Sequence, residues 1–243
     1  MTYQDTTTTT PARRDTPDPD DVGTSTSAET FTDAAWGAIA PIREAIDRLP
    51  FLTKLEDGTL PQETFAHYLA QDALYLADYG RVLAACAAQA TDPDELLFWS
   101  SSANTTVRVE RELHAAHVDD FTAAEKSPTS TAYTSYLLAL VANGCYPELA
   151  AGALPCFWIY EDVGTRLKDR ADDLSAHPYG DWISTYGDPT FAEATATARS
   201  IADGLAAQAD PVTLERMRRA FHRASQYEWM FWESAFRQET WPI

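Results

Sequence analysis

Three features of the sequence predict an all-α fold, built as a single-domain helical bundle. Helical segments repeatedly open on proline at the first helical position, where the missing N–H costs nothing. Between those openings apolar residues recur at spacings of three and four. No alternating strand, GxGxxG loop, P-loop or internal repeat interrupts the pattern. The chain has 243 residues, 45% of them hydrophobic and 12% aromatic, enough to enclose one principal core.

Residues 1–29 are rich in Thr, Pro, Asp and Ser and offer almost nothing to bury, so they read as a disordered tail ahead of a domain spanning 30–243. Helices are then expected over 31–49, 61–90, 93–119, 128–143, 147–171, 179–186, 189–208 and 211–239. The proline-led openings are Leu60-Pro61, Asp92-Pro93, Ser127-Pro128, Asp188-Pro189 and Asp210-Pro211. Glu95 stands three residues after Asp92, the spacing of a reciprocal capping box. In the second helix Phe65, Tyr68, Leu69, Tyr75, Leu76, Tyr79 and Leu83 form one stripe, with Asp72 embedded in it.

Charge excludes whole classes of partner. With 37 acidic against 18 basic residues and a net charge of -19, contact with nucleic acid phosphates or an anionic membrane is disfavoured. Only Lys54, Lys126 and Lys168 are lysines, a balance suited to a salt-rich, halophilic cytosol where screening relieves carboxylate repulsion. The odd cysteine count (Cys86, Cys145, Cys156) and the lack of a CxxC pair fit a reducing cytoplasm. No apolar run spans a membrane, and the N-terminus carries no export signal pattern.

Four groups of residues bear on chemistry. The histidines are His67, His114, His117, His177 and His222; VERELHAAH places Glu110 and His114 at i,i+4, but the Glu-x-x-His pairs of di-metal bundles are absent, so no metal is expected. Cys86 reads as a small core residue and Cys145 as a turn residue. Cys156 follows Pro155: at a helix start it would sit near free N–H groups that favour thiolate, whereas within a longer helix it would be a packing residue beside a kink. Asp72 and Glu228 stand among aromatic residues, where a desolvated carboxyl gains a raised pKa, although pairing with Arg81 or Arg223 would give one of them a purely structural role. Tyr133, Phe157, Trp158, Tyr160 and Tyr186 cluster with these acids and the thiol, pointing to a flat, electron-poor ligand held between rings.

LPQETFAHYLAQDALYLADY, SPTSTAYTSYLLAL, LAAGALPCFWIYEDVG, YGDWISTYGD and SQYEWMFWESAFR occur in that order, and together they resemble the TenA, or thiaminase II, family from about residue 31 to the C-terminus. The resemblance implies a haem-oxygenase-like fold, a homotetramer, and hydrolysis of an aminopyrimidine or of thiamin in thiamin salvage, without metal or organic cofactor. It also implies site roles: Asp72 binding the aminopyrimidine edge, Tyr75, Tyr133 and Phe231 contacting the ring, Cys156 as nucleophile, Tyr160 and Tyr186 near the leaving group, and Glu228 as acid and base. Two other readings compete. A non-catalytic pyrimidine-binding or regulatory protein would need Asp72 and the rings but not both Cys156 and Glu228. A haem or quinone oxidoreductase lacks support, because the first histidine is His67 and basic residues for a poly-anionic quinone are scarce.

Overall fold

The computed structural model describes residues 29–117, 125–171 and 173–243. The described residues hold ten helices and no strand: α1 (Phe31–Ala38), α2 (Ala40–Asp47), α3 (Pro50–Glu56), α4 (Gln62–Gln89), α5 (Pro93–His117), α6 (Pro128–Asn143), α7 (Tyr146–Arg170), α8 (Gly180–Tyr186), α9 (Pro189–Gln208) and α10 (Pro211–Phe236). The expected tail lies outside the described residues except for its last position, and the expected extension of α5 to 119 also lies outside them.

The proline punctuation largely sets the helix starts. Ser127, Asp188 and Asp210 each accept a backbone N–H from the first turn of the helix that follows, satisfying an otherwise orphaned donor. Asp92 Oδ1 does the same for Asp94 and Glu95, while the Glu95 carboxylate accepts the Tyr146 hydroxyl at 2.6 Å. Pro61 departs from the pattern, being itself the cap residue of α4, with no side-chain bond.

The first expected helix, 31–49, is instead two helices, and a third follows that the periodicity does not mark. Pro41 falls in the first turn of α2, where its ring is incompatible with continuing α1, and the chain turns at Ile39 (φ -95°, ψ 9°). Leu49, preceding Pro50, is extended at φ -65°, ψ 131°, as a residue before proline prefers, and α3 starts at once.

The core is organised by five long helices: α4 packs along α5, and α7 packs against both α10 and α9. Trp99, Trp182, Trp232, Tyr68 and Tyr133 are fully buried within it. On one flank Trp36 of α1 stacks on Trp158 of α7 at 4.0 Å, with the guanidinium groups of Arg43 and Arg199 over their outer faces at 4.2 and 4.1 Å. Among the described residues no helix is long and apolar enough to cross a membrane.

Gly164 fixes the approach of α8 to α7, because a Cβ there would lie 2.5 Å from the Tyr186 carbonyl carbon, which is backbone and cannot rotate away. Gly164→Ala is therefore expected to cost about 1–3 kcal/mol through overpacking, or roughly 2–4 °C of Tm per kcal/mol, in a thermal unfolding measurement. An unchanged Tm would show that α8 is free to shift.

Candidate active site

A cavity of about 720 Å³ opens between α4, α5, α7, α8 and α9. Its buried end is formed by Asp72 and Tyr79 of α4, Cys156 and Tyr160 of α7, and Tyr186 of α8. Further out, Phe157, Phe98 and Phe191 narrow it, and hydroxyl side chains of α5, α8 and α9 line the mouth.

The α4 stripe accounts for the arrangement on one wall. Tyr68, Asp72, Tyr75 and Tyr79 follow spacings of four, three and four, which stack them on one helix face. Trp182 Nε1 donates to the Tyr68 hydroxyl at 3.2 Å, which in turn donates to the Tyr160 hydroxyl at 3.4 Å, so α8, α4 and α7 are tied by one chain of polar groups. Tyr79 donates to the Ala153 carbonyl at 2.8 Å and stacks on Tyr75 at 5.4 Å.

Glu228, Tyr75, Tyr133 and Phe231 lie in the packing beside the cavity, not in its lining. Glu228 is 1% exposed, and its Oε1 accepts the Tyr133 hydroxyl at 2.6 Å. Burial pushes its pKa up to about 8; the Tyr133 bond opposes the rise and the charge of Asp72 adds to it. Phe231, on the same face of α10, meets Tyr75 at 5.6 Å and Tyr68 at 6.0 Å, while Tyr75 meets Tyr133 at 4.9 Å. These rings keep bulk water from the carboxyl.

Cys156 lies inside α7 with Pro155 before it, so the helix-start reading is overturned and no free helix N-terminus activates the thiol. Cys156 borders the cavity, yet the surrounding protein desolvates its sulfur and pushes its pKa well above the usual thiol range. Glu228 and, to a lesser degree, Asp72 reinforce that rise, while the Tyr75 and Tyr79 hydroxyls oppose it. The Tyr75 hydroxyl is buried with no hydrogen bond of normal length, but it stands near enough to the sulfur to favour thiolate. The resting site therefore holds a neutral thiol and a protonated Glu228, and burial keeps the Tyr75, Tyr133, Tyr160 and Tyr186 phenols neutral.

The arginine pairings do not form as considered. Arg81 bonds Asp78 at 2.6 Å on the exposed side of α4, and the partner of Glu228 is Tyr133. Cys86 is fully buried and Cys145 precedes α7, both as expected. The side chains of Glu110, His114 and His117 lie outside the described residues. Among the described residues no group of three or more His, Cys, Asp and Glu side chains is placed to hold a metal. Sequence reasoning put Tyr79 on the Asp72 stripe but gave it no site role, although its place seven residues after Asp72 marks it for the cavity. Phe98 and Phe191 carry no such signal, since their helices meet the site only through tertiary packing.

These features define an all-α protein of the haem-oxygenase-like type whose helices enclose an aromatic-walled chamber containing a carboxyl and a thiol. Residues 36–238 match the TENA/THI-4/PQQC family, and the chain belongs to that family. It is 31% identical over 219 residues to the aminopyrimidine aminohydrolase of Halalkalibacterium halodurans, covering 87% of this chain and 97% of that protein. It is 35% identical over 207 residues to the thiamine biosynthesis multifunctional protein ThiED of Corynebacterium glutamicum, covering 85% of this chain but only 27% of that protein, so it spans about a quarter of that longer relative. Among solved structures, the TenA homologue from P. horikoshii superimposes with a TM-score of 0.76 at 29% identity, over 86% of this chain and 99% of that one.

The carboxyl of Glu228 carries a stability signature. Its folded pKa is raised from 4.5 to about 8, so its contribution is intact below the unfolded value and is lost as pH rises through the folded one, by an amount on the order of 4 kcal/mol. Unfolding free energies measured from pH 5 to 8.5 should fall in the wild type and fall less steeply in Glu228→Gln. Parallel profiles would mean that the carboxyl is not held protonated.

Proposed function

We propose that this protein is an aminopyrimidine aminohydrolase of thiamin salvage, converting an aminomethylpyrimidine, and also thiamin, to 4-amino-5-hydroxymethyl-2-methylpyrimidine. The observation that carries this reading is the cavity on which Asp72, Cys156, Tyr160 and Tyr186 open together, with a protonated Glu228 within electrostatic reach of Asp72 and Cys156. The naming of the H. halodurans relative supports it.

In this reading Asp72 binds the ring nitrogen and exocyclic amine of the pyrimidine, orienting it and drawing electron density to that edge. Tyr75, Tyr133 and Phe231 form the aromatic bed behind the ring, and Tyr160 and Tyr186 face the leaving group. The Cys156 sulfur adds to a ring carbon while its proton passes to the ring nitrogen. Glu228 then donates its proton to the departing amine, and the ring electrons form an exocyclic methylene. The resulting Glu228 carboxylate takes a proton from water as the water oxygen adds to that methylene. Expulsion of sulfur with return of its proton restores the ring and the starting enzyme. Overall, water replaces ammonia, and acid, base and nucleophile all come from side chains, with no cofactor invoked; the thiazolium of thiamin leaves as a neutral thiazole without taking a proton, so in that case Glu228 keeps its proton and the one lost by water passes to solvent.

A homotetramer and a salt-rich cytoplasm belong to the same proposal. The first is supported by exposed apolar side chains on α5, Leu97 (64%) and Val107 (41%), and the second by the net charge of -19.

The direct test is to incubate the protein with the aminomethylpyrimidine and with thiamin, at low and molar salt, and to follow hydroxymethylpyrimidine release. Release from neither compound would leave a binding role. Cys156→Ser should lose most turnover while still binding the pyrimidine, since Asp72 and the rings remain; full turnover would refute covalent catalysis. Glu228→Gln should fall by about 100- to 10,000-fold, and wild-type turnover should decline as pH rises through about 8, where Glu228 loses its proton.

A further inference from the structure

The segment leading into α6 is held by α4 and by the chain beyond α10, as well as by its own cap. The cap is the Ser127 hydroxyl, which accepts Ser130 N–H at 3.1 Å. Gln71 of α4, only 4% exposed, presents both ends of its amide to this backbone: Oε1 accepts Ser127 N–H at 2.8 Å and Nε2 donates to the Glu125 carbonyl at 2.9 Å. Glu239 Oε2 accepts Thr129 N–H at 2.9 Å. The Trp241 indole donates to the Lys126 carbonyl at 2.9 Å, and the Lys126 side chain pairs with Asp78 of α4.

These partners are tied to the helices that carry the two acids. Gln71 immediately precedes Asp72, and the strap bearing Glu239 and Trp241 continues directly from α10, the helix of Glu228. The strap turns sharply to reach α6. Gln238 takes the left-handed region at φ 48°, which is uncommon for a residue with a side chain and persists only where the surroundings hold it. Its Nε2 donates to Thr64 Oγ1 of α4 at 3.3 Å, and Glu239 N–H returns to the Ser234 carbonyl at 3.0 Å. Residues 125–129 therefore set α6 against α4 and α10 together. About 9 Å along the axis from Ser127, Tyr133 delivers its hydroxyl to Glu228 Oε1 at 2.6 Å.

We infer, resting on the aminopyrimidine reading above, that Gln71 and Glu239 are positioning residues for the acid: by fixing where α6 begins, they hold the Tyr133 hydroxyl on the Glu228 carboxyl. The bond matters most once Glu228 has given up its proton, because a hydroxyl donor stabilises a carboxylate more than a neutral acid. The other titratable groups acting with Glu228 are Asp72, Tyr68, Tyr75 and Tyr79 of α4, Cys156 and Tyr160 of α7, and Tyr186 of α8. Asp72 raises the Glu228 pKa and Tyr133 lowers it, so slackening α6 should move that pKa up. Near Glu239 stand Arg237, at 3.9 Å, and His67, whose pKa burial lowers, so that it is neutral where Glu228 titrates.

The test follows aminomethylpyrimidine hydrolysis against pH. In Gln71→Leu, kcat near neutral pH should fall by about 10- to 100-fold, the scale of one hydrogen bond to a charged group, with KM little changed because Asp72 and the rings remain. The alkaline limb of kcat should move to higher pH, as it should in Tyr133→Phe, and adding Gln71→Leu to Tyr133→Phe should cost little more. Glu239→Ala should move the limb the same way, and Glu239→Gln, which keeps an acceptor for Thr129 N–H, should restore it; this pair decides the matter if Gln71→Leu does not fold. A limb that stays put or moves down in either variant would overturn the role of that residue. So would a loss from Gln71→Leu that is as large without the Tyr133 hydroxyl as with it. If the wild type hydrolyses nothing, the catalytic reading has failed, and the Glu228 carboxyl is followed instead by infrared difference titration against Glu228→Gln. An upward shift of its midpoint in Gln71→Leu and Glu239→Ala would sustain the positioning role, and an unmoved or lowered midpoint would end it.

Discussion

The site depends on keeping water away from one carboxyl. Glu228 holds its proton near neutral pH because it is 1% exposed, and the single bond that would favour its charge, from Tyr133, only partly offsets that burial. The rings of Tyr75, Tyr133, Tyr227 and Phe231 pack around it, with Tyr133 and Tyr227 stacked at 5.1 Å. If water reached the carboxyl its pKa would return toward the ordinary range, and the protein would lose the acid on which the proposed chemistry turns. The same burial opposes folding at alkaline pH, so the fold tolerates a local cost at the place where the site needs a proton.

That dry environment follows from how α4, α6, α7 and α10 meet. Asp72, Tyr133, Cys156 and Glu228, one from each helix, meet at a junction built mainly of aromatic rings and their hydroxyls. α7 must pass close to α6 and α8, and Gly152 and Gly164 make the approach possible, since a Cβ at either would collide with Leu140 or with the Tyr186 backbone. Pro155 lacks an N–H inside this helix, so one turn has a weakened hydrogen-bond ladder beside the cavity, and Tyr79 bonds the Ala153 carbonyl in that same turn. On the far side the Trp36–Trp158 stack, closed above and below by Arg43 and Arg199, joins α1 and α2 to the body of the bundle.

How much of this was legible in the sequence depended on whether the signal was local. Ser127-Pro128, Asp188-Pro189 and Asp210-Pro211 marked helix starts because both the cap bond and the proline preference act within one turn. The stripe through Tyr68, Asp72 and Tyr75 was visible for the same reason. The break at Ile39 was missed because the apolar periodicity ran through Pro41, where proline sterics overrode it; the end near Leu49 was expected, but the short α3 that starts at Pro50 carries too few turns to show a periodicity. The environment of Cys156 could not be read locally. A proline before a cysteine suits both a helix start and a helix interior, and the choice is made by the packing of α7 on α10 and α9. Phe98 and Phe191 belong to this second class, being ordinary helical apolar residues that become a wall only when α5 and α9 converge.

The chamber also constrains how charge can move through it. Asp72 raises the pKa of Glu228, and both acids raise that of Cys156, so each negative charge makes the next harder to form. A thiolate waiting in this desolvated setting beside the two acids would be strongly disfavoured at rest. The thiol can give up its proton economically only as another positive or proton-accepting centre arrives, and an electron-poor ring whose nitrogen is drawn toward Asp72 is such a centre. Proton transfer to that nitrogen would coincide with carbon–sulfur bond formation, with the Tyr75 and Tyr79 hydroxyls easing the charge on sulfur as it develops. Nucleophile activation would then come from the substrate, not from a base resident in the protein, and in the absence of a pyrimidine the cysteine would remain an inert, desolvated thiol.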